Sequence, residues 1–155
     1  MKNKGFSLIE VCIGIALIGI MISIGGPKIR KYIASGKDAR AIATLSTLRT
    51  ASELYYTEKG EPVFDRGKDS ITDAIKKLKL YLDPKTYKFV ENGKLEIGGS
   101  RKDADLETPL NYGGEVQLTF INPNDTEDAG DGIYIWLEPE KGQEYDSKGQ
   151  KWSEY

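Results

Sequence analysis

One acidic residue, Glu10, interrupts a long apolar run near the start of the chain. Apart from Glu10, the segment from Phe6 to Gly26 has no charged side chain. The segment is about 21 residues long, which at ~1.5 Å per residue is enough to cross a hydrocarbon core of ~30 Å. An ionised carboxylate inside such a segment costs roughly 2.5–3.5 kcal/mol. A chain that needed only an anchor would avoid this cost, so the run is predicted to meet another copy of itself.

The residues around Glu10 resemble the processing signature of type IV pilins and of the pseudopilins of type II secretion. The string Lys4–Val11 combines a glycine, an aromatic residue, three further residues and a glutamate, in front of an apolar helix. The resemblance implies that prepilin peptidase cleaves between Gly5 and Phe6 and methylates the new amine of Phe6. Residues 1–5 would then be a cleaved leader, or class III signal peptide.

The resemblance also implies how the mature chain would polymerise. The carboxylate of Glu10 would pair with the amine of Phe6 on the preceding subunit, because an unpaired charge in a low-dielectric setting is costly. Alternatively, Glu10 lies close enough to the membrane interface to reach headgroups and water. Gly19 and Pro27 would bound a stretch that can lose helical order on assembly in this family. The alternative is that its small residues only allow membrane helices to pack closely.

The charged residues bear on two questions, namely nucleic-acid binding and the orientation of the chain in the membrane. The formal charge of −2 argues weakly against a nucleic-acid-binding surface. Lys28, Arg30, Lys31 and Lys37 outnumber the lysines of the leader, so a positive-inside count would leave the C-terminal head in the cytoplasm. The resemblance implies the opposite: a single-pass protein of the bacterial inner membrane with an extracytoplasmic head, and later a filament in the periplasm or on the cell surface.

The apolar pattern continues past Pro27 as an amphipathic helix that is predicted to end at Gly60, a C-cap residue. Apolar or small residues recur there at spacings of three and four, namely Ile29, Ile33, Ala41, Ile42, Leu45, Leu48, Ser52 and Tyr55. The polar side is left with Lys37, Arg40, Arg49 and Glu53. A kink or local opening is expected at Pro27. Residues 6–27 are thus predicted to form the membrane and assembly half of one long helix, and residues 28–60 its amphipathic half.

Residues 61–155 predict a small globular head. Ser70 and Asp73 have the spacing of a capping box, which predicts a short helix closed by Asp83-Pro84. Its predicted inner face is Ile71, Ala74, Ile75 and Leu78. Segments 87–91 and 94–97 flank Asn92-Gly93 and predict a hairpin. Segments 115–121 and 133–137 predict a second strand pair, whereas residues 100–114 have the pattern of a loop.

The fold class expected from these elements is α+β. A long N-terminal α-helix, membrane-spanning in its first half and amphipathic in its second, would pack on a small antiparallel β-sheet head. By resemblance this is the pilin fold.

The acidic loop 122–132 is a candidate calcium site, with Asp125, Asp128 and Asp131 as ligands. Calcium takes 6–8 hard oxygen ligands in flexible geometry. Major pseudopilins carry such a site shortly before a tryptophan, and Trp136 follows here. The spacing matches no EF-hand. The alternative is a solvated turn rich in Asn, Asp and Gly.

Two alternatives also stay open for the aromatic residues of the tail. With Tyr134 and Trp136, the pair Trp152 and Tyr155 could close the sheet as buried aromatic surface. The same rings could form an exposed contact patch for a partner.

Catalysis has little support in the sequence, so no enzyme is expected. The chain has no histidine, and its single cysteine, Cys12, lies in the apolar run, where a thiol should be inert. No phosphate-binding glycine loop or nucleophile elbow occurs.

The favoured function is a structural subunit that polymerises through its N-terminal helix. By resemblance, the homopolymer is a type IV pilus-like filament or a type II secretion pseudopilus, built by an assembly ATPase and a platform protein. The alternative is a membrane-anchored binding module that does not polymerise.

Overall fold

The computed structural model describes residues 7–125 and 130–155. It divides the chain into two compact units, Met1–Ile33 and Ala34–Tyr155. Helix α1 spans Leu8–Lys59 and continues through Pro27 without a break. The local opening predicted at Pro27 is therefore wrong for the single chain, and the predicted kink stays a prediction.

The second half of α1 buries one face. The buried residues are Ala34, Asp38, Ala41, Leu45, Leu48, Ala51, Ser52 and Tyr55. Their spacing of three and four places them on a single stripe, as the sequence pattern predicts, although Ile29 and Ile33 are 59% and 58% exposed. Gly60 ends the helix with φ +71° and donates its N–H to the carbonyl of Tyr56, 2.8 Å away. This left-handed C-cap confirms the predicted end of the helix.

The short helix predicted at Ser70 is confirmed. Helix α2 spans Ile71–Lys77, and a 3₁₀ turn at Leu78–Leu80 follows it. Ser70 and Asp73 form the predicted capping box, in which each side chain accepts the backbone N–H of the other residue. The predicted inner face is also found: Ala74, Ile75 and Leu78 are fully buried, and Ile71 packs partly buried against the core.

The region of α2 ends before Asp83-Pro84, as predicted, but this dipeptide also begins a new helix that the sequence pattern did not predict. Helix α3 spans Pro84–Val90, and the Asp83 carboxylate accepts the N–H groups of the first turn. Pro84 occupies the first helical position, where its missing N–H leaves no bond unmade. The predicted strand over residues 87–91 and the hairpin at Asn92-Gly93 are therefore wrong. Gly93, with φ +73°, lies in the turn after the helix and donates its N–H to the carbonyl of Val90, 2.8 Å away.

Within the described part of the head there are five short strands: β1 Lys94–Glu96, β2 Gly99–Ser100, β3 Asn111–Tyr112, β4 Glu115–Thr119 and β5 Trp136–Glu138. The main sheet has the order β1-β4-β5 and is antiparallel throughout. The predicted pairing of its last two strands is confirmed, although β5 begins later than predicted. Strands β2 and β3 form a separate two-stranded ladder, and apart from Gly99 its residues lie in the stretch predicted as a loop.

The core of the head lies between the sheet and the second half of α1. Leu95, Val116, Leu118 and Leu137 on the inner face of the sheet belong to one buried cluster with Leu45 and Leu48 of the helix. The expected α+β class is therefore confirmed: the long helix packs on a small antiparallel sheet.

The tail closes this core. Trp152 is fully buried, and the ring of Tyr155 packs 5.7 Å from it. Trp152 therefore belongs to the buried core, the first of the two alternatives for the tail, and not to an exposed contact patch.

Candidate assembly interface

The first part of α1 exposes an unusually large apolar surface. Its large apolar side chains are each about half to four-fifths exposed, and they are Leu8, Ile9, Val11, Ile13, Ile15, Leu17, Ile18, Ile20, Met21, Ile22 and Ile24. Burying a set of this size would be worth on the order of 10–20 kcal/mol. Within the described residues, α1 is the helix that is long and apolar enough to cross a membrane. Lipid or a second copy has to cover this surface.

Glu10 lies in the first turn of this apolar helix. Its Oε2 accepts the backbone N–H of Ser7 at 2.9 Å, as an acid does at the third helical position of a capping box. The helix dipole also favours a carboxylate in the first turn. The other carboxylate oxygen accepts no hydrogen bond from the described part of the chain. Gly5 and Phe6, the predicted cleavage site, lie outside the described residues, so the pairing of Glu10 with an amine stays a prediction.

The glycines of this segment are not required by the packing of the single chain. An added Cβ at Gly14, Gly19, Gly25 or Gly26 would meet nothing within 4 Å. Each of these glycines lowers the stability of the helix by roughly 0.5–1 kcal/mol relative to alanine. They weaken the helix without any benefit inside one chain. This finding is compatible with both alternatives, namely loss of helical order over Gly19–Pro27 and close packing between copies.

The acidic loop of the head is built as a turn on its C-terminal side. Oδ1 of Asp131 accepts the N–H groups of Ile133 and Tyr134, each at 2.8 Å. Gly132 has φ +70°, and an added Cβ would lie 2.2 Å from the carbonyl oxygen of Phe64. This end of the loop is therefore clamped to the core.

The structure leaves the calcium site untested. Among the described residues, no three His, Cys, Asp or Glu side chains come together to hold a metal ion. Asp128 lies outside the described residues. The set Asp125, Asp128 and Asp131 stays a prediction.

Arg49 was predicted to face solvent, and the structure corrects this. Its guanidinium donates to the carbonyl oxygens of Ile135 (2.8 Å) and Tyr155 (2.6 Å). It also lies 4.1 Å above the ring centroid of Tyr134. Burial lowers the pKa of Arg49, and the neighbouring Tyr134 opposes this effect. Arg49 thus ties the helix to the segment just before strand β5 and to the tail.

An aromatic groove lies on the head beside this arginine. The rings of Tyr134 and Trp136 are 4.6 Å apart and tilted by 59°. With Gly130 and Asp131 they line an open groove of about 480 Å³. The sequence indicated these rings only as core or contact surface, because their shared direction depends on strand β5.

Comparison with known proteins finds a match to the N-terminal segment and matches to longer stretches of the chain. A family model described as "Prokaryotic N-terminal methylation motif" matches residues 1–26. A "Fimbrial protein" of Pseudomonas aeruginosa is 33% identical over 116 residues, which cover 75% of this chain and 66% of the relative. The "Type IV major pilin protein PilA" of Myxococcus xanthus is 40% identical over 58 residues, 37% of this chain and 26% of the relative.

A third relative, "Fimbrial protein EcpB" of Eikenella corrodens, is 33% identical over 79 residues, or 51% of this chain and 50% of the relative. The chain spans 66% or less of the length of these three relatives. No solved structure matches it. The methylation motif in front of an exposed apolar helix, the small sheet on which that helix packs and the similarity to fimbrial proteins lead to one conclusion: the chain belongs to the type IV pilin family.

Proposed function

We propose that this protein is the repeating subunit of a type IV pilus-like filament. The observation that carries the proposal is the exposed apolar helix with Glu10 in its first turn. The curated relatives are named as fimbrial and major pilin proteins, and these names favour a pilus over a type II secretion pseudopilus.

Processing prepares the joint between subunits. Prepilin peptidase cleaves between Gly5 and Phe6 and methylates the amine of Phe6. The Ser7 N–H already holds one oxygen of Glu10, so the other oxygen is available to the amine of a neighbouring subunit. In a setting poor in water this charge pair sets the axial register, and apolar burial then stabilises the contact.

Before assembly the first part of α1 lies in the inner membrane, with the head outside the cytoplasm. Lys28, Arg30 and Lys31 follow the apolar run and are exposed, which suits contact with lipid headgroups. An assembly ATPase and a platform protein then draw the subunit into the filament. Between Gly19 and Pro27 the glycines let the helix adapt to its neighbours.

Replacing Glu10 tests the proposal. In cells that make the full-length chain, Glu10→Gln should be cleaved and methylated at Phe6, remain in the membrane and give no filaments. Mass spectrometry of the mature protein reads the processing, and the sheared extracellular fraction reads the filaments. Glu107→Gln is the matched control, because this acid is exposed in a head loop and should leave filaments at the normal level.

Two results would contradict the proposal. Normal filaments in the Glu10→Gln variant would show that assembly does not need the carboxylate of Glu10. A mature protein that retains Met1 would make the chain a simple membrane-anchored module.

A further inference from the structure

Three basic side chains follow the apolar run of α1 within one turn of the helix. They are Lys28, Arg30 and Lys31, and all three are exposed. We call them the basic collar. Their long side chains can lie along the helix while their charged ends reach towards water or a polar group.

The basic collar has no counter-charge inside the chain. No acidic residue occurs between Glu10 and Asp38. Among the described residues, no acid lies within ion-pair distance of any of the three collar side chains, whereas the next cation along the helix, Lys37, pairs with Glu96 of the head. The collar is therefore a local concentration of positive charge that an external anion can neutralise.

The residues between and after these cations are apolar or aromatic and also exposed. Ile29 and Ile33 were expected on the buried stripe but are 59% and 58% exposed, and Tyr32 is 77% exposed. Basic side chains mixed with a tyrosine and aliphatic residues are typical of a helix segment at a membrane–water interface. This composition favours a surface that is both charged and partly apolar.

The position of the collar along the helix fits the headgroup layer. The apolar run up to Gly26 is long enough to cross the hydrocarbon core, and the collar begins two residues later. Residues 28–33 rise by about 8 Å along the axis. The polar layer on each side of a bilayer is about 5–8 Å thick. When the apolar run fills the hydrocarbon core, the collar lies at the depth of the lipid phosphates.

Membrane orientation does not account for these cations. In the orientation proposed above, the collar follows the span on the extracytoplasmic side, where basic residues are disfavoured. Three cations at this end therefore oppose translocation of the head. Their contact with an anion after insertion gives them a different role.

We propose that the basic collar binds anionic phospholipid headgroups and so surrounds the unassembled subunit with anionic lipid. The proposal rests on the proposed function in one respect, that the apolar run lies in the inner membrane before assembly. The contacts would be broken each time a subunit leaves the bilayer, so the anionic lipid content of the membrane would affect how easily subunits are extracted.

The test uses the full chain reconstituted in phosphatidylcholine vesicles. Spin-labelled phosphatidylglycerol and spin-labelled phosphatidylcholine are added in separate samples, and electron paramagnetic resonance measures the fraction of each label that is immobilised next to the protein. In all samples Lys2 and Lys4 are replaced by glutamine, because these lysines lie at the other end of the span and could attract anionic lipid themselves.

We expect phosphatidylglycerol to associate about 2- to 5-fold more strongly than phosphatidylcholine at low salt, since one basic side chain near a charged surface contributes up to about 5-fold. The preference should disappear in 1 M NaCl, where the Debye length is about 3 Å. Lys28→Gln/Arg30→Gln/Lys31→Gln should bind both lipids equally.

The matched control is Lys102→Gln/Lys141→Gln/Lys148→Gln. It removes the same three charges from exposed positions of the head, and it should keep the full preference for phosphatidylglycerol. Circular dichroism of each variant reports that the helix is intact.

The proposal is overturned if the two lipids associate equally with the unchanged collar, if the preference survives in the collar variant, or if the head variant loses it to the same extent. The first result would leave the collar to a neighbouring copy of the chain. The experiment is independent of filaments, so its failure is distinguished from loss of the proposed function, which the Glu10→Gln variant tests in cells.

Discussion

Asp38, inside helix α1, accepts the backbone N–H of Gly98 on its Oδ1 at 2.7 Å. Gly98 lies so close to the helix that an added Cβ would sit 1.9 Å from the carbonyl oxygen of Ala34. The same carboxylate accepts the N–H groups of Gly99 (3.3 Å) and Ser147 (3.1 Å). Asp38 is 1% exposed. One buried acid therefore joins the helix, the start of strand β2 and the C-terminal tail.

Removing this carboxylate should destabilise the head strongly. Asp38→Ala removes this acceptor from the buried backbone donors of Gly98 and Gly99 and from the half-buried donor of Ser147, and each buried group left unpaired costs about 1–3 kcal/mol. We expect a loss of about 3–5 kcal/mol in the free energy of unfolding, read by urea denaturation of the chain in micelles with tryptophan emission. Glu107→Ala should stay within about 0.5 kcal/mol. Equal stability of the two variants would contradict the role of Asp38.

Adding a methyl group at Gly98 should also be costly. The new Cβ would overlap backbone, which cannot rotate away as a side chain can. We expect Gly98→Ala to lose about 3 kcal/mol or more. Gly36→Ala is the opposite case, because an added Cβ in this helical position meets nothing within 4 Å. It should stabilise the protein by about 0.4–1 kcal/mol, and the same urea experiment distinguishes the two signs.

Acid should weaken the head through the cap of helix α2. The Ser70 hydroxyl, together with Lys76, lowers the pKa of Asp73 from its usual value to about 2. Since the folded pKa lies below the unfolded one, the contribution of Asp73 is complete above about pH 4 and is lost as the pH falls towards 2. Lys77 likewise lowers the pKa of Asp69.

Asp73→Asn should therefore be less stable than the unchanged protein at pH 7, and the difference should shrink towards pH 2. Urea midpoints at pH 7, 4 and 2.5 measure this. A difference that is constant over this range would show that the charge of Asp73 does not contribute.

The predicted calcium set is tested by thermal melting with calcium and with EDTA. An ion that binds only the folded loop raises the melting temperature, by several degrees at concentrations well above its dissociation constant. The prediction requires such a rise and requires Asp128→Asn to remove it. A melting temperature that does not respond to calcium would make the loop a solvated turn.

Much of the head could be predicted because its signals are local. Gly60 ends α1 and the Ser70–Asp73 capping box begins α2, and both signals depend on residues at most three positions apart in the sequence. The hairpin predicted at Asn92-Gly93 is wrong because a second local signal, the start of a helix at Asp83-Pro84, prevails over it. Asp83 and Pro84 are a strong N-cap and first-turn pair, and they determine the structure of the next seven residues. Strand β1 then pairs with β4, a contact that no local signal reveals.

The sequence pattern did not identify the tertiary contacts of Asp38 and Arg49 on α1, although a signal existed for Asp38. Asp38 stands at the spacing of the buried stripe, four residues after Ala34 and three before Ala41. An acid at an apolar position of such a stripe indicates a buried carboxylate with partners elsewhere. Arg49 follows the buried Leu48, and its partners come from strand β5 and the tail. Register along the helix could identify Asp38 as buried and Arg49 as lying beside the buried stripe, but only the tertiary structure names their donors and acceptors.

The empty space around Gly14, Gly19, Gly25 and Gly26 has an evolutionary consequence. A screen that scores only the folding of isolated chains would record all four positions as tolerant of alanine. Selection at these sites can therefore act through the flexibility of the helix or through whatever surrounds it, and not through packing inside one chain. Where these glycines lie against an adjoining molecule, an enlargement would require a compensating change in that molecule.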